Sequence, residues 1–483
     1  MSRDHAAGSA GELFPDIERQ REITLELVSR LLDDLRDLPE APVLDVASHQ
    51  EILQRLDEEL PRRGHGVEPT LERFWQLVRP AMTRVDHPRF HGFIPSPSSF
   101  PASLGQLIAG MTNPFVGSWL GGASVAALEL IVLRWIAEAV GYPATSGLLT
   151  SGGSIANLNA CVAAREAALA AHPELTTGQL IDRARVYAGD QVHDSMLKAA
   201  RVAGLPKSAL RVVASGDGLV LDAAAARAAI AEDVAQGALP ILLCATAGAT
   251  NTGAVDPIDE LATLCAEQRI WLHVDGAYGG FGALAPSARG LFRGLERADS
   301  LTLDPHKWLY SPMGHGCFLT RDHVALARAF ETGGDYLLDV PREQVNFFDR
   351  GPELSRPGRA LTLWLLLRSV GTEALAARIE EDLRLARVAE RLLRASGRFE
   401  ILAPTTLSVV SFAVRGDLAS DAEAATRAVY RETLEAAETM VSTTRLRGRL
   451  ALRLVVLSPR TDDGQVERSV AELVRAADRA RDN

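Results

Sequence analysis

Apolar residues recur mostly at four-residue steps, at Leu13, Ile17, Ile23, Leu27, Leu31 and Leu35, and Pro39 follows. That spacing places one apolar stripe along a helix over residues 11–37. The stretches 47–59 and 70–83 repeat the pattern more briefly. Residues 1–85 are therefore expected to form a helical arm, too thin to enclose a core and packed on another subunit. Beyond residue 120 the pattern changes. Helical stretches at 129–139, 154–171, 221–236 and 257–267 are interleaved with short apolar runs at 147–150, 185–188, 210–213, 241–246, 270–274, 300–303 and 316–319. Apolar strands alternating with helices predict an α/β domain built on a mostly parallel sheet. Residues 361–396 read as long helix. Strands near 408–414 and 450–456, with helices at 420–438 and 463–480, predict a small α/β domain. The expected division is an arm over 1–85, a large domain over 86–375 and a small domain over 376–483.

Composition narrows the classes. At about 150 residues per domain, 483 residues give two to four domains, enough to bury a large core without disulfides. The net charge of −11 and the lack of a basic tail argue against nucleic acid and anionic membranes as partners. Cys161, Cys244, Cys265 and Cys317 are far apart, a pattern that fits neither a metal ribbon nor a disulfide framework and suits a reducing cytoplasm. Residues 1–12 carry charges and no apolar core, so no signal peptide is expected. One stretch is unusual: the 39 residues from Phe90 to Leu128 contain no Asp, Glu, Lys or Arg. Its prolines, serines and glycines disqualify it as a lipid-exposed helix. It reads as a loop-rich segment buried in protein.

Five short motifs carry candidate chemistry. Thr150-Ser151-Gly152-Gly153-Ser154-Ile155-Ala156-Asn157 joins an apolar run to a long helix, either as an ordinary N-cap turn or as an anion cradle of glycines, helix end and Ser154 hydroxyl. Trp271-Leu-His-Val-Asp275-Gly-Ala277 ends a buried strand in an acid, which either caps a loop or needs a cation or donor. Asp304-Pro305-His306-Lys307-Trp308 sets a lysine in apolar surroundings, where it is a solvated cation or an amine nucleophile. His193 in Asp190-Gln191-Val192-His193-Asp194-Ser195 and Thr246 in a small-residue loop complete the set. No GxGxxG, P-loop or metal-ligand spacing occurs.

All five motifs follow apolar strands, so they converge on the carboxyl edge where such sheets bind ligands. An anion cradle, an aromatic imidazole, a buried acid and an amine together suit pyridoxal phosphate. The ordered series SGGSIAN, DQVHDS, ATAGATNTGAVDP, HVDGAYGG and DPHKWL resembles the pyridoxal-phosphate-dependent group II amino-acid decarboxylases, from about residue 70 to 475.

The resemblance implies a fold-type I α/β enzyme that works as a cytoplasmic homodimer, converting an L-amino acid to its primary amine and CO₂. It implies that Lys307 carries the cofactor as a Schiff base and Asp275 faces the pyridine nitrogen. His193 and Ala277 would lie on opposite faces of the ring, with Thr246 near it. Gly152, Gly153, Ser154 and His306 would hold the phosphate. Tyr336 falls where the family's catalytic loop carries the tyrosine associated with decarboxylation rather than oxidative aldehyde formation. Phe93, Ile94, Pro95, Phe115 and Trp119 match segments that line the substrate pocket, partly across the dimer interface; their apolar character favours an aromatic or large apolar substrate, with plain interface packing as the alternative. His91 is either a substrate contact or a solvated histidine, and Arg356 and Arg359 match arginines whose roles are not separated. Gly276 stands where many relatives have alanine, and residues 90–96 look closer to bacterial tryptophan-decarboxylase-like relatives. An aldehyde synthase, another lyase or transaminase, and a cofactor-binding regulator without turnover remain as alternatives.

Overall fold

The computed structural model describes residues 13–331 and 344–482. Residues 1–12, discussed above for targeting, and Tyr336 lie outside the described residues. The main sheet contains β1 (Ser146–Thr150), β2 (Ala184–Gly189), β3 (Leu210–Val213), β4 (Leu239–Thr246), β5 (Trp271–Gly276), β6 (Ser300–Leu303) and β7 (Gly316–Thr320). Their order is β1-β7-β6-β5-β4-β2-β3, and only β7 runs against the others. β1, β5, β6 and β7 are buried along their whole length, because helices cover both faces of the sheet and the strands are continuous apolar runs.

A second, antiparallel sheet has the order β10-β11-β9-β8, from β8 (Phe399–Ile401), β9 (Val409–Val414), β10 (Ser442–Leu446) and β11 (Arg449–Val455). The sequence pattern did not predict β8 or β10. β8 has only three residues, and β10 alternates polar positions that face water. The β10–β11 hairpin turns through Arg447 and Gly448, both at positive φ (49° and 81°), the geometry of a tight two-residue turn. The helix Arg359–Ala395 links the two sheets and bends at Gly371. Its residues up to Leu383 belong to the core around the main sheet, and those from Leu385 onward to the core of the second.

The uncharged segment departs from expectation. It is not loop-rich: it forms the helix Phe100–Thr112 and the start of the helix Trp119–Val140. Pro101 sits in the first turn, where its missing N–H costs nothing, and Asn113 ends the helix in a left-handed conformation before Pro114. The prolines thus punctuate the helix rather than break it. Nor is the whole segment buried within one chain: Phe90, His91, Ile94 and Val116 are, but its first helix is not. Phe100, Leu104, Leu107, Ile108 and Met111 form an exposed apolar stripe along the helix.

Candidate active site

The carboxyl ends of the central strands place their residues side by side. Thr246 on β4 is in register with Asp275 on β5, which is in register with Thr302 on β6. Directly after β6, the short helix Pro305–Trp308 carries His306 and Lys307. Opposite them, the loop after β1 enters the helix Gly153–Ala171, whose first N–H groups lack carbonyls one turn back to bind. Gly152 has φ of 146°, and a Cβ there would lie 3.3 Å from the His306 ring, so glycine alone fits the approach. These elements enclose a cavity of about 280 Å³ lined by Gly152, Gly153, Ser154, His193, Thr246, Asp275, Ala277, His306 and Lys307. Every candidate cofactor residue named from the sequence therefore borders one space.

Lys307 Nζ lies 3.0 Å from Asp304 Oδ2, while Asp304 Oδ1 is buried with no hydrogen-bond partner among the described residues. His306 Nδ1–H donates to the His315 carbonyl (2.7 Å), which leaves Nε2 near Asp304 at 3.5 Å. Burial pushes the His306 imidazole down, and Asp304 opposes that shift.

A directed chain of hydrogen bonds supports the far wall. The Trp271 indole, which can only donate, binds Ser300 Oγ (2.8 Å), and the Ser300 hydroxyl donates to His273 Nδ1 (2.8 Å). Burial pushes His273 down to about 4, so the ring is neutral at pH 7 and its Nε2–H donates to Asn157 Oδ1 (3.0 Å). Asn157 Nδ2 then donates to Asp275 Oδ2 (2.8 Å) and to Ser195 Oγ (2.9 Å). The Ser195 hydroxyl (2.8 Å) and backbone N–H (3.2 Å) both donate to His193 Nδ1. An indole that only donates and a carboxylate that accepts fix the direction from both ends. His193 Nδ1 is therefore an acceptor, which leaves Nε2 as the donor of the ring. Ala277 N–H donates to Asp275 Oδ1 (3.1 Å). Beneath Thr246, Asp256 accepts the Thr246 and Leu221 N–H groups (2.7 Å each), and burial raises its carboxyl to about 6.

Asn157, Ser195 and Asp304 had no assigned role in the sequence. Asn157 carried a readable signal, a polar residue one turn into the helix that follows the two glycines; Ser195 carried none. The proposed pocket residues lie elsewhere. Ile94 is buried in the main core, Phe93 and Phe115 are exposed, Pro95 and Trp119 are half-buried, and none of the five lines the cavity of one chain. His91 is neither solvated nor a cavity residue. It is fully buried, donates through Nδ1 to the Val455 carbonyl (3.0 Å) and accepts through Nε2 from the Ser469 hydroxyl (3.0 Å).

A lysine, a buried acid and a glycine-bounded helix end at the carboxyl edge of a mostly parallel sheet define an enzyme that carries an aldehyde cofactor on its own amine. The profile described as the pyridoxal-dependent decarboxylase conserved domain matches residues 50–415. An aromatic-L-amino-acid decarboxylase of Bacillus atrophaeus is 33% identical over 451 residues, covering 92% of each chain. Among solved structures, Oryza sativa TDC with PLP and tryptamine superposes with a TM-score of 0.93 at 28% identity, covering 97% of this chain and 99% of that one. Rhodiola rosea 4-hydroxyphenylacetaldehyde synthase superposes at 0.89 with 25% identity, covering 96% and 99%. The chain belongs to the pyridoxal-dependent decarboxylase family, and it is a PLP-dependent amino-acid decarboxylase of fold-type I.

Proposed function

We propose that this enzyme removes the carboxylate of an aromatic L-amino acid and releases the primary amine. The observation that carries the catalytic part is the single cavity bounded by Lys307, Asp275, His193 and the start of the Gly153–Ala171 helix. The donor set fits pyridoxal phosphate: a helix end with two glycines for an anion, a buried carboxylate braced by Asn157, and a primary amine. The aromatic substrate class is supported by the named relatives and by the apolar residues at 90–119.

Bound pyridoxal phosphate supplies a ring that accepts the electron pair left when the bond from Cα to the carboxylate breaks. Lys307 would hold the cofactor through its amine. Asp275, kept in orientation by Asn157 and the Ala277 N–H, stabilises a proton on the ring nitrogen. His193 presents its Nε2–H to the cavity. Gly152, Gly153 and Ser154 bind the phosphate through the helix end, with His306 beside them.

The exposed stripe on the Phe100–Thr112 helix and the apolar positions Leu25, Leu31 and Leu32 of the helix Ile17–Asp37 support a homodimer, in which Phe93, Phe115 and Trp119 face the partner's cavity. The four cysteines, all buried and free, support a cytoplasmic location.

The test is CO₂ release from each proteinogenic amino acid, with amine, aldehyde, ammonia and H₂O₂ measured in parallel. Amine and CO₂ in equal amounts from Trp, Tyr or Phe support the reading. Stoichiometric peroxide and aldehyde would instead make the enzyme an aldehyde synthase, like the Rhodiola protein it resembles in fold.

A further inference from the structure

We propose that Glu129 and Arg356 are positioning residues that hold the glycine loop in register for the cofactor's phosphate, an inference that rests on the pyridoxal phosphate site described above. The two form an ion pair in the interior, with side chains 0% and 1% exposed and Nη2 to Oε1 at 2.7 Å. A buried ion pair carries a desolvation cost that apolar side chains of similar size would avoid, so stability alone does not account for it.

Both members of the pair turn to one residue. Glu129 Oε1 accepts the Leu149 N–H (2.8 Å), and Arg356 Nη2 donates to the Leu149 carbonyl (2.6 Å). Leu149 lies on β1, the end strand of the sheet, which pairs with β7 alone. Among the described residues no strand on the open side takes its backbone groups, and the ion pair stands in for one. The next residue, Thr150, begins the cavity loop: its hydroxyl donates to the Gly152 carbonyl (3.1 Å) and accepts the Gly152 N–H (3.3 Å). The pair therefore fixes the last strand residue before Gly152, Gly153 and Ser154.

Arg356 is itself held. Its guanidinium lies over the Phe347 ring, 4.8 Å from the centroid, and its carbonyl accepts the Val116 N–H (3.0 Å). Arg359 instead forms a two-pronged pair with Glu353 at 2.8 and 2.9 Å. The two arginines left unseparated by the sequence thus differ in task, and only Arg356 reaches the strand that feeds the cavity.

The test compares equilibrium binding of pyridoxal phosphate and of pyridoxal, which lacks the phosphate, to apo-protein by the visible absorbance of the lysine adduct, with thermal midpoints alongside. The double replacement Glu129→Leu with Arg356→Met refills the volume and removes both bonds to Leu149. It should lose about tenfold of the wild-type preference for the phosphorylated form. Glu129→Gln, which keeps an acceptor for the Leu149 N–H, should retain most of it. Arg356→Lys keeps the charge but cannot serve Glu129 and Leu149 together, and should lose about threefold; it decides the matter if the double variant does not fold. An unchanged preference, or equal weakening of both ligands with a lowered midpoint, would overturn the positioning role. A wild-type protein that binds neither aldehyde would refute the cofactor site itself.

Discussion

The carboxyl edge of the main sheet and the uncharged face at residues 90–128 meet solvent in opposite ways. At the edge, the buried Asp275, Asn157 and Ser195 and the more exposed His193 form one connected chain with donors and acceptors in agreement. On the uncharged face, large apolar side chains such as Met111 (70% exposed) and Leu120 (68%) have no cover within the chain. One chain thus completes its own polar chemistry but not its apolar wall. Polar groups must be satisfied wherever they are buried, whereas apolar surface can wait for a second copy. The contrast places the polar chemistry within one chain and leaves enclosure to the homodimer proposed above.

The largest effects should fall on the edge. Lys307→Ala should abolish the visible absorbance band of the bound cofactor and reduce decarboxylation by about 10³-fold or more, since the amine has no substitute within the cavity. A retained band would mean another amine holds the cofactor. Asp275→Ala should cost about 10²–10³-fold in turnover while some cofactor remains bound, because it removes the buried carboxylate proposed to support the ring nitrogen. Near-normal turnover would assign that support to another group. Both effects should appear in dimeric protein, which keeps the two regions separable.

The edge was legible from the sequence because topology does the gathering. Each motif follows an apolar strand, and parallel strands with helical crossovers deliver all their carboxyl ends to one side. Strand 300–303, for example, was read with the boundaries the structure shows, and Lys307 follows from it. The supports were less legible. Asn157 meets Asp275 and Ser195 only through contacts 118 and 38 residues apart in the chain. The uncharged face was misread for a local reason: its prolines were counted as breakers, although Pro101 and Pro114 lie just inside and just beyond a helix.

A smaller effect tests the face directly. Ile108 lies in the middle of the exposed stripe on the Phe100–Thr112 helix. Ile108→Glu would place a charge in the proposed dimer contact, once from each subunit. Losing the burial of two such side chains should weaken dimerisation by about 10³-fold, measured by analytical ultracentrifugation across dilution. The monomer should still bind pyridoxal phosphate, because the residues of the cavity come from one chain. A variant that stays dimeric would show that this stripe is not the contact.

The smallest effect concerns the root of that face, where His91 ties the segment to Val455 and Ser469. Burial pushes the His91 imidazole down to about 4, against an ordinary value near 6.5. Between those values the unfolded chain binds a proton that the folded chain refuses. The stability that His91 contributes is therefore complete above about pH 6.5 and is lost as pH falls towards 4. Each such histidine adds up to about 1.4 kcal/mol per pH unit to the acid slope. His91→Gln preserves a donor for the Val455 carbonyl and an acceptor for the Ser469 hydroxyl but does not titrate. Urea unfolding between pH 4.5 and 6.5 should then show a slope shallower by about one proton than the wild type, while turnover at pH 7 changes little. Parallel curves for the two proteins would mean that His91 takes up its proton without leaving its bonds, and that the segment is not anchored through a neutral ring.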